Sequence, residues 1–237
     1  MIRVLSTLAI LAFVCFATSA QAEIIFSSRA AFEAMFPGLP TEDFEEANVA
    51  VGSAAFFNGP LSSTTNNGIF APGDILDNLV IRDRSFNSGG MNALGAGVIT
   101  GTSRMVGNDQ LDTFDANTQM LFLNNSANTI GFDMFAARGS GSSTAGRMRV
   151  SVSGVTPGVG ETYIVNLAQD TGAFFGIHTG NELIDQIELT YLDSPSQVEF
   201  VDNISFGVTT AVPEPSTLIA LSTLGIAMLI RRRALKR

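Results

Sequence analysis

Arg147-Met148-Arg149-Val150-Ser151-Val152 is the stretch that decides the fold class. In an extended chain, Met148, Val150 and Val152 fall on one side and Arg147, Arg149 and Ser151 on the other. Period 2 marks a strand with one face buried and one in water. The same pattern continues outward. Ile187, Leu189 and Tyr191 alternate with Glu188, Thr190 and Leu192, and residues 129–136 put Ile130, Phe132 and Met134 on one side. Residues 76–82, 120–123, 162–168, 173–177 and 198–208 are further strand candidates. Clusters of Gly, Ser, Thr and Asn at 62–68 and 139–143 separate them as turns and loops. One helix is expected at 28–36, with Ala31, Phe32, Met35 and Phe36 on one side and Pro37-Gly38 ending it. Many short strands with such turns predict a mainly β body: an antiparallel β-sandwich or jelly roll with one short N-terminal helix.

The two ends of the chain follow different rules. Residues 1–22 carry one early positive charge, Arg3, then an apolar stretch from Leu8 to Phe16, and close on Ala20-Gln21-Ala22. That order predicts a signal peptide cut after Ala22, with Glu23 as the mature N-terminus and the body outside the inner membrane. Cys15 is the only cysteine of the chain and leaves with the peptide. The mature protein is therefore expected to have no disulfide and no cysteine metal site.

At the other end, Val212-Pro213-Glu214-Pro215-Ser216-Thr217 precedes the apolar run 218–230 and then Arg231-Arg232-Arg233. The prolines hold the chain extended, because they fit neither a strand ladder nor a helix interior. This run of 13 residues at about 1.5 Å each covers roughly 20 Å, short of a ~30 Å hydrocarbon core. Snorkelling arginine stems lengthen such a span. A membrane helix over about 216–232 is expected, with the three arginines as a cytoplasmic stop. Three segments result: 1–22, an exported domain at 23–210, and a C-terminal segment at 211–237.

Charge narrows the partners of the body. Of 13 basic residues, Arg3 and five in the tail fall outside it, which leaves seven, all Arg; of 22 acids, only Glu214 falls outside, which leaves 21. A body near −14 does not bind nucleic acid by neutralising phosphates, nor an anionic membrane surface.

The C-terminal order of Pro-Glu-Pro, short apolar helix and basic end resembles the PEP-CTERM sorting signal of Gram-negative bacteria. The resemblance rests on residues 212–217 and their setting, about a tenth of the chain. It implies recognition by an exosortase, a membrane transpeptidase that cuts near the Pro-Glu-Pro element, and an association with exopolysaccharide and biofilm. The helix would then be a temporary inner-membrane anchor, and the mature protein would reside at the cell surface or outside the cell. The body shares further elements with exported proteins of this family: Asp43-Phe44-Glu45, Gly131-Phe132-Asp133 and Val201-Asp202-Asn203-Ile204-Ser205-Phe206-Gly207.

Asp202 stands out within the last of these. Read as an unbroken strand, Phe200, Asp202, Ile204, Phe206 and Val208 share one face, so a carboxylate sits among apolar side chains. One resolution is a bulge at which Asp202 accepts backbone N–H groups. The other comes from a second resemblance, to the end strands of galactose-binding-like carbohydrate modules. There the matching Asp and a Glu, here Glu45, help hold a structural calcium. Asp109, Asp112 and Asp115 lack EF-hand spacing and read as a solvated loop.

Catalysis has little sequence support. His178 is the only histidine, no G-x-S-x-G or H-E-x-x-H element exists, and no Gly-rich stretch has phosphate-binding spacing. The chain is expected to be non-catalytic. A carbohydrate-binding module is the alternative, although Trp is absent and only Tyr163 and Tyr191 are present. A secreted hydrolase would need two close carboxylates that nothing in the sequence selects.

Overall fold

The computed structural model describes residues 23–83, 90–99, 101–108, 118–137, 143–154, 160–194 and 197–210. The expected signal peptide with Ala20 and Ala22, the Asp109, Asp112 and Asp115 cluster, and the segment 211–237 with its motif and arginines lie outside the described residues. Among the described residues, no helix is long and apolar enough to cross a membrane.

The body is mainly β, and every strand pairing is antiparallel. In chain order the elements are β1 (Ile24–Phe26), α1 (Arg29–Met35), β2 (Thr41–Glu42), β3 (Ala54–Asn58), β4 (Leu61–Ser62), β5 (Val80–Asp83), β6 (Gly90–Leu94), β7 (Met105–Asn108), β8 (Thr118–Ala127), β9 (Thr129–Ala137), β10 (Gly146–Gly154), β11 (Gly160–Leu167), β12 (Ala173–His178), β13 (Ile184–Tyr191) and β14 (Val198–Gly207). Six strands form one sheet in the order β11-β10-β13-β8-β5-β4. The other sheet runs β1-β12-β9-β14-β7-β6-β3, with β2 added to β14 as its eighth strand. One apolar core lies between the sheets. Met148, Val150, Val152, Ile187 and Leu189 enter it from the six-stranded sheet, and Ile130, Phe132, Met134 and Val201 from the other.

The outer face of the eight-stranded sheet is covered too. Gly131 and Gly176 lie directly opposite each other on β9 and β12. With no side chain at either, the rings of Phe32 and Phe174 settle on the bare backbone; a Cβ at Gly131 would stand 2.8 Å from Phe174 and 2.9 Å from Phe32. Phe32 is the fully buried residue of α1 and meets Phe26, Phe36 and Phe174 with ring centroids 5.5–5.6 Å apart. Ser28 caps the helix by accepting from the Ala31 N–H, and Phe36 ends it. The expected helix at 28–36 is thus present, except that Ala31 faces water. Farther along the same face, Leu94, Val98, Ile99, Met105, Phe135, Val198 and Phe200 make a second apolar cluster.

Two expectations need correction. Residues 76–79 form turns, and the strand there begins at Val80; β2, β3, β4, β6 and β7 had no clear period to announce them. More consequentially, β14 is not an unbroken strand. Its register against β9 slips between Asp202 and Ser205, and Asn203 takes φ +50°, a left-handed conformation that Asn tolerates better than most residues. Phase reverses there. Before the slip, Val198, Phe200 and Asp202 face outward while Glu199 and Val201 face the core; after it, Ile204 and Phe206 face the core. The single face running from Phe200 to Val208 does not exist, and Val208 is exposed.

Candidate functional site

The slip in β14 organises the polar groups around it. Before it, β14 pairs with β7 through Phe200 and Val201; after it, β2 takes over, opposite Ile204 and Ser205. Asp202 sits at the changeover and is 2% exposed. Its Oδ1 accepts the Asn203 N–H at 2.7 Å, and its Oδ2 accepts the Ser103 hydroxyl. Burial pushes its carboxyl up to about 7, and the nearby Asp133 and Glu45 carboxylates add to the rise. The slip also turns the Asn203 carbonyl toward α1, where the Arg29 guanidinium donates to it at 2.8 Å. Arg29 pairs with Asp133 at 3.0 Å and lies over the Phe174 ring, and Asn203 Nδ2 donates to the same Asp133 oxygen. The Gly131-Phe132-Asp133 pattern now has a local reason. Gly131 receives the Phe32 ring, Phe132 enters the core, and Asp133 ties the helix to the slip.

Glu45 lies on the next residue along from Asp202's partner. Its Oε1 accepts the Arg104 N–H at 3.1 Å, and its Oε2 pairs with the Arg104 guanidinium. The structure therefore brings Asp202 and Glu45 to adjacent residues, Ser103 and Arg104, and within electrostatic reach of each other. A second acidic group stands beside them: one carboxylate oxygen each from Glu42, Asp43 and Glu46 lies within 4.8 Å of the others. Glu42 is buried; its two oxygens accept the N–H groups of Phe44 and Leu76 at 3.0 and 2.9 Å. Burial raises its carboxyl to about 7 despite those donors.

Glu199, which strand periodicity did not single out, is the most enclosed acid among the described residues and is fully buried on the core side of β14. It bridges the sheets: Oε1 accepts the Tyr191 N–H of β13 at 2.6 Å, and Oε2 accepts Asn108 Nδ2 of β7 at 2.8 Å. Burial pushes it to about 8. The available signal was the run Val198-Glu199-Phe200-Val201, apolar on both sides of an acid.

His178 is fully buried at the end of β12, against the Phe36 ring, with Nδ1 2.8 Å from the Thr129 hydroxyl. Burial holds the imidazole below its ordinary value. The Tyr163 hydroxyl lies between the Glu23 and Glu161 carboxylates, and Tyr191 donates its own to the Ala145 carbonyl at 2.8 Å. Both tyrosines, the sequence's candidates for a sugar platform, are thus engaged by the protein itself. The cavities formed by residues 23, 161 and 182, by 52, 94 and 200, and by 25, 164 and 174 include none of Glu42, Asp202 and Glu199. Comparison of the chain with protein-family models, curated proteins and solved structures finds no match to any of the three.

Proposed function

We propose that the chain is an exported, non-catalytic protein of the cell surface or extracellular matrix, built as a β-sandwich of the jelly-roll kind and sorted by its C-terminal segment. The observation that carries this reading is the order Pro213-Glu214-Pro215, apolar run 218–230, Arg231-Arg232-Arg233 at the end of a chain that opens with a signal-peptide pattern. An exosortase-like transpeptidase in the inner membrane is the implied processing partner, and exopolysaccharide is the implied surrounding. The buried acids support the non-catalytic reading: each is engaged by N–H or O–H donors of the fold, away from the cavities described above. Replacing Pro213 and Pro215 with Ala tests the proposal in the native host. The variant is expected to insert normally but to accumulate as a larger, membrane-retained species. Equal processing of variant and wild type would reduce the tail to a plain anchor.

A structural calcium at Asp202 and Glu45 is a second proposal, favoured by their meeting on Ser103 and Arg104. A cation there has to displace the Arg104 guanidinium from Glu45. Calcium is expected to raise the melting temperature of the full chain, and a chelator to lower it. An unchanged melting temperature rejects the site.

A further inference from the structure

Thr209 is held more firmly than the start of a linker requires. Its N–H donates to Asn128 Oδ1 at 2.8 Å, and its carbonyl accepts Asn128 Nδ2 at 2.9 Å. Its hydroxyl lies 2.5 Å from that of Thr129, which in turn donates to Asn128 Oδ1 at 3.1 Å and meets His178 Nδ1 at 2.8 Å. With the proton on His178 Nδ1, every one of these contacts has a donor and an acceptor. The other tautomer would bury an N–H at Nε2, an atom with no partner. Asn128 also donates to the Gly180 carbonyl, and its backbone joins Gly207 and Thr179 at 3.1 and 2.9 Å. His178 is the strand partner of Ile24. The first strand and the last held residue thus meet at one end of the sheet.

We propose that Asn128, Thr129, His178 and Thr209 form a clasp that fixes where the folded body releases its C-terminal segment. Pro213 lies four positions beyond Thr209, at most about 14 Å of extended chain. The chain length therefore keeps the start of the Pro-Glu-Pro motif within that reach of the clasp. The clasp also defines a boundary that proteolysis of the tail does not cross. The cavity at this end is lined by Glu23, Glu161 and Glu182 with no basic residue. The biological use of the clasp rests on the sorting reading; its geometry does not.

The test is amide hydrogen exchange and limited proteolysis on the full chain in detergent, comparing wild type with Asn128→Ala and the milder Thr209→Val. In wild type, the Thr209 amide is expected to be protected, and a low dose of a non-specific protease should leave a body ending at 210 or beyond. Asn128→Ala is expected to cut protection at Thr209 by about tenfold or more and to move the end to before 207, with the rest of β14 unchanged. Thr209→Val, which keeps the shape and the N–H, should show a smaller loss in the same place. Free exchange at Thr209 in wild type, or equal trimming of wild type and Asn128→Ala, overturns the clasp. If the native host leaves the tail uncut while Thr209 stays protected, the sorting reading falls and the clasp stands.

Discussion

The two sheets share one core and differ in what lies behind them. On the far side of the six-stranded sheet, Arg147 and Ile164 are exposed and Arg149 and Ser151 half-buried, as in an ordinary half-buried sheet. The eight-stranded sheet is covered on its far side by α1, by the segment after β6 and by clustered aromatic rings. Its central strands β9 and β14 are therefore buried on both faces almost throughout. Each polar group on those strands has lost its water and must find a protein partner. Asp202, Glu199 and His178 all lie on this sheet, as does Glu42 on the added β2. Asp202 and His178 are cut off from water by the second covering layer, Glu199 and Glu42 by the core between the sheets, so buried polarity here is not by itself a mark of catalysis.

Removing the cover has the largest expected effect. Phe32→Ala on the outer face is expected to cost about 3–5 kcal/mol, the scale of a residue in the central core. Ile164→Ala, on the open face of the other sheet, should stay within about 0.5 kcal/mol. Chemical denaturation measures both, and similar values would remove the distinction.

The next effect concerns the buried acids. Glu199, Asp202 and Glu42 have folded values of about 8, 7 and 7, above their ordinary carboxylate range. Between about pH 4 and 8 the folded chain keeps protons that the unfolded chain has released. Their contribution is fully present below the ordinary carboxylate range and is lost as pH rises through 7 to 8. The melting temperature is expected to be higher at pH 5 than at pH 8. Glu199→Ala should cost about 2–3 kcal/mol by leaving the Tyr191 and Asn108 donors unpaired, and should flatten part of that slope. A melting temperature that rises toward pH 8 would mean that these groups are ionised and paired in some other way.

The smallest effect belongs to the open sheet. Arg147 and Asp193 make an ion pair at the surface, with both side chains partly exposed. Arg147→Ala is expected to leave the melting temperature unchanged, because exposed pairs contribute little. A clear drop would show that the open face carries more of the stability than its burial suggests.

The same contrast decides how much the sequence could reveal. The open sheet was legible from Met148, Val150 and Val152, because water on one side writes a period-2 pattern into the residues. The covered sheet has apolar residues on both faces, so β6 and β7 showed no period at all. Asp202 was conspicuous, but its setting depended on a one-residue slip at Asn203 that reverses the phase of β14. Its hydroxyl partner Ser103 is 99 positions away, and no local pattern encodes such a distance. Glu42, two residues long with β2, was hidden by the brevity of its strand. The two ends of the chain were the most readable parts, because membrane insertion and cleavage act on local sequence alone.

Both of those ends join the covered sheet, through β1 and through the residues after β14. Intact-mass and terminal-peptide spectrometry of the protein from its native host tests the proposed function most directly. The account predicts a mature chain that begins at Glu23 and ends within or close to residues 212–217, with any attached glycan adding to its mass. A dominant species that keeps Met1 and runs to Arg237 would contradict it.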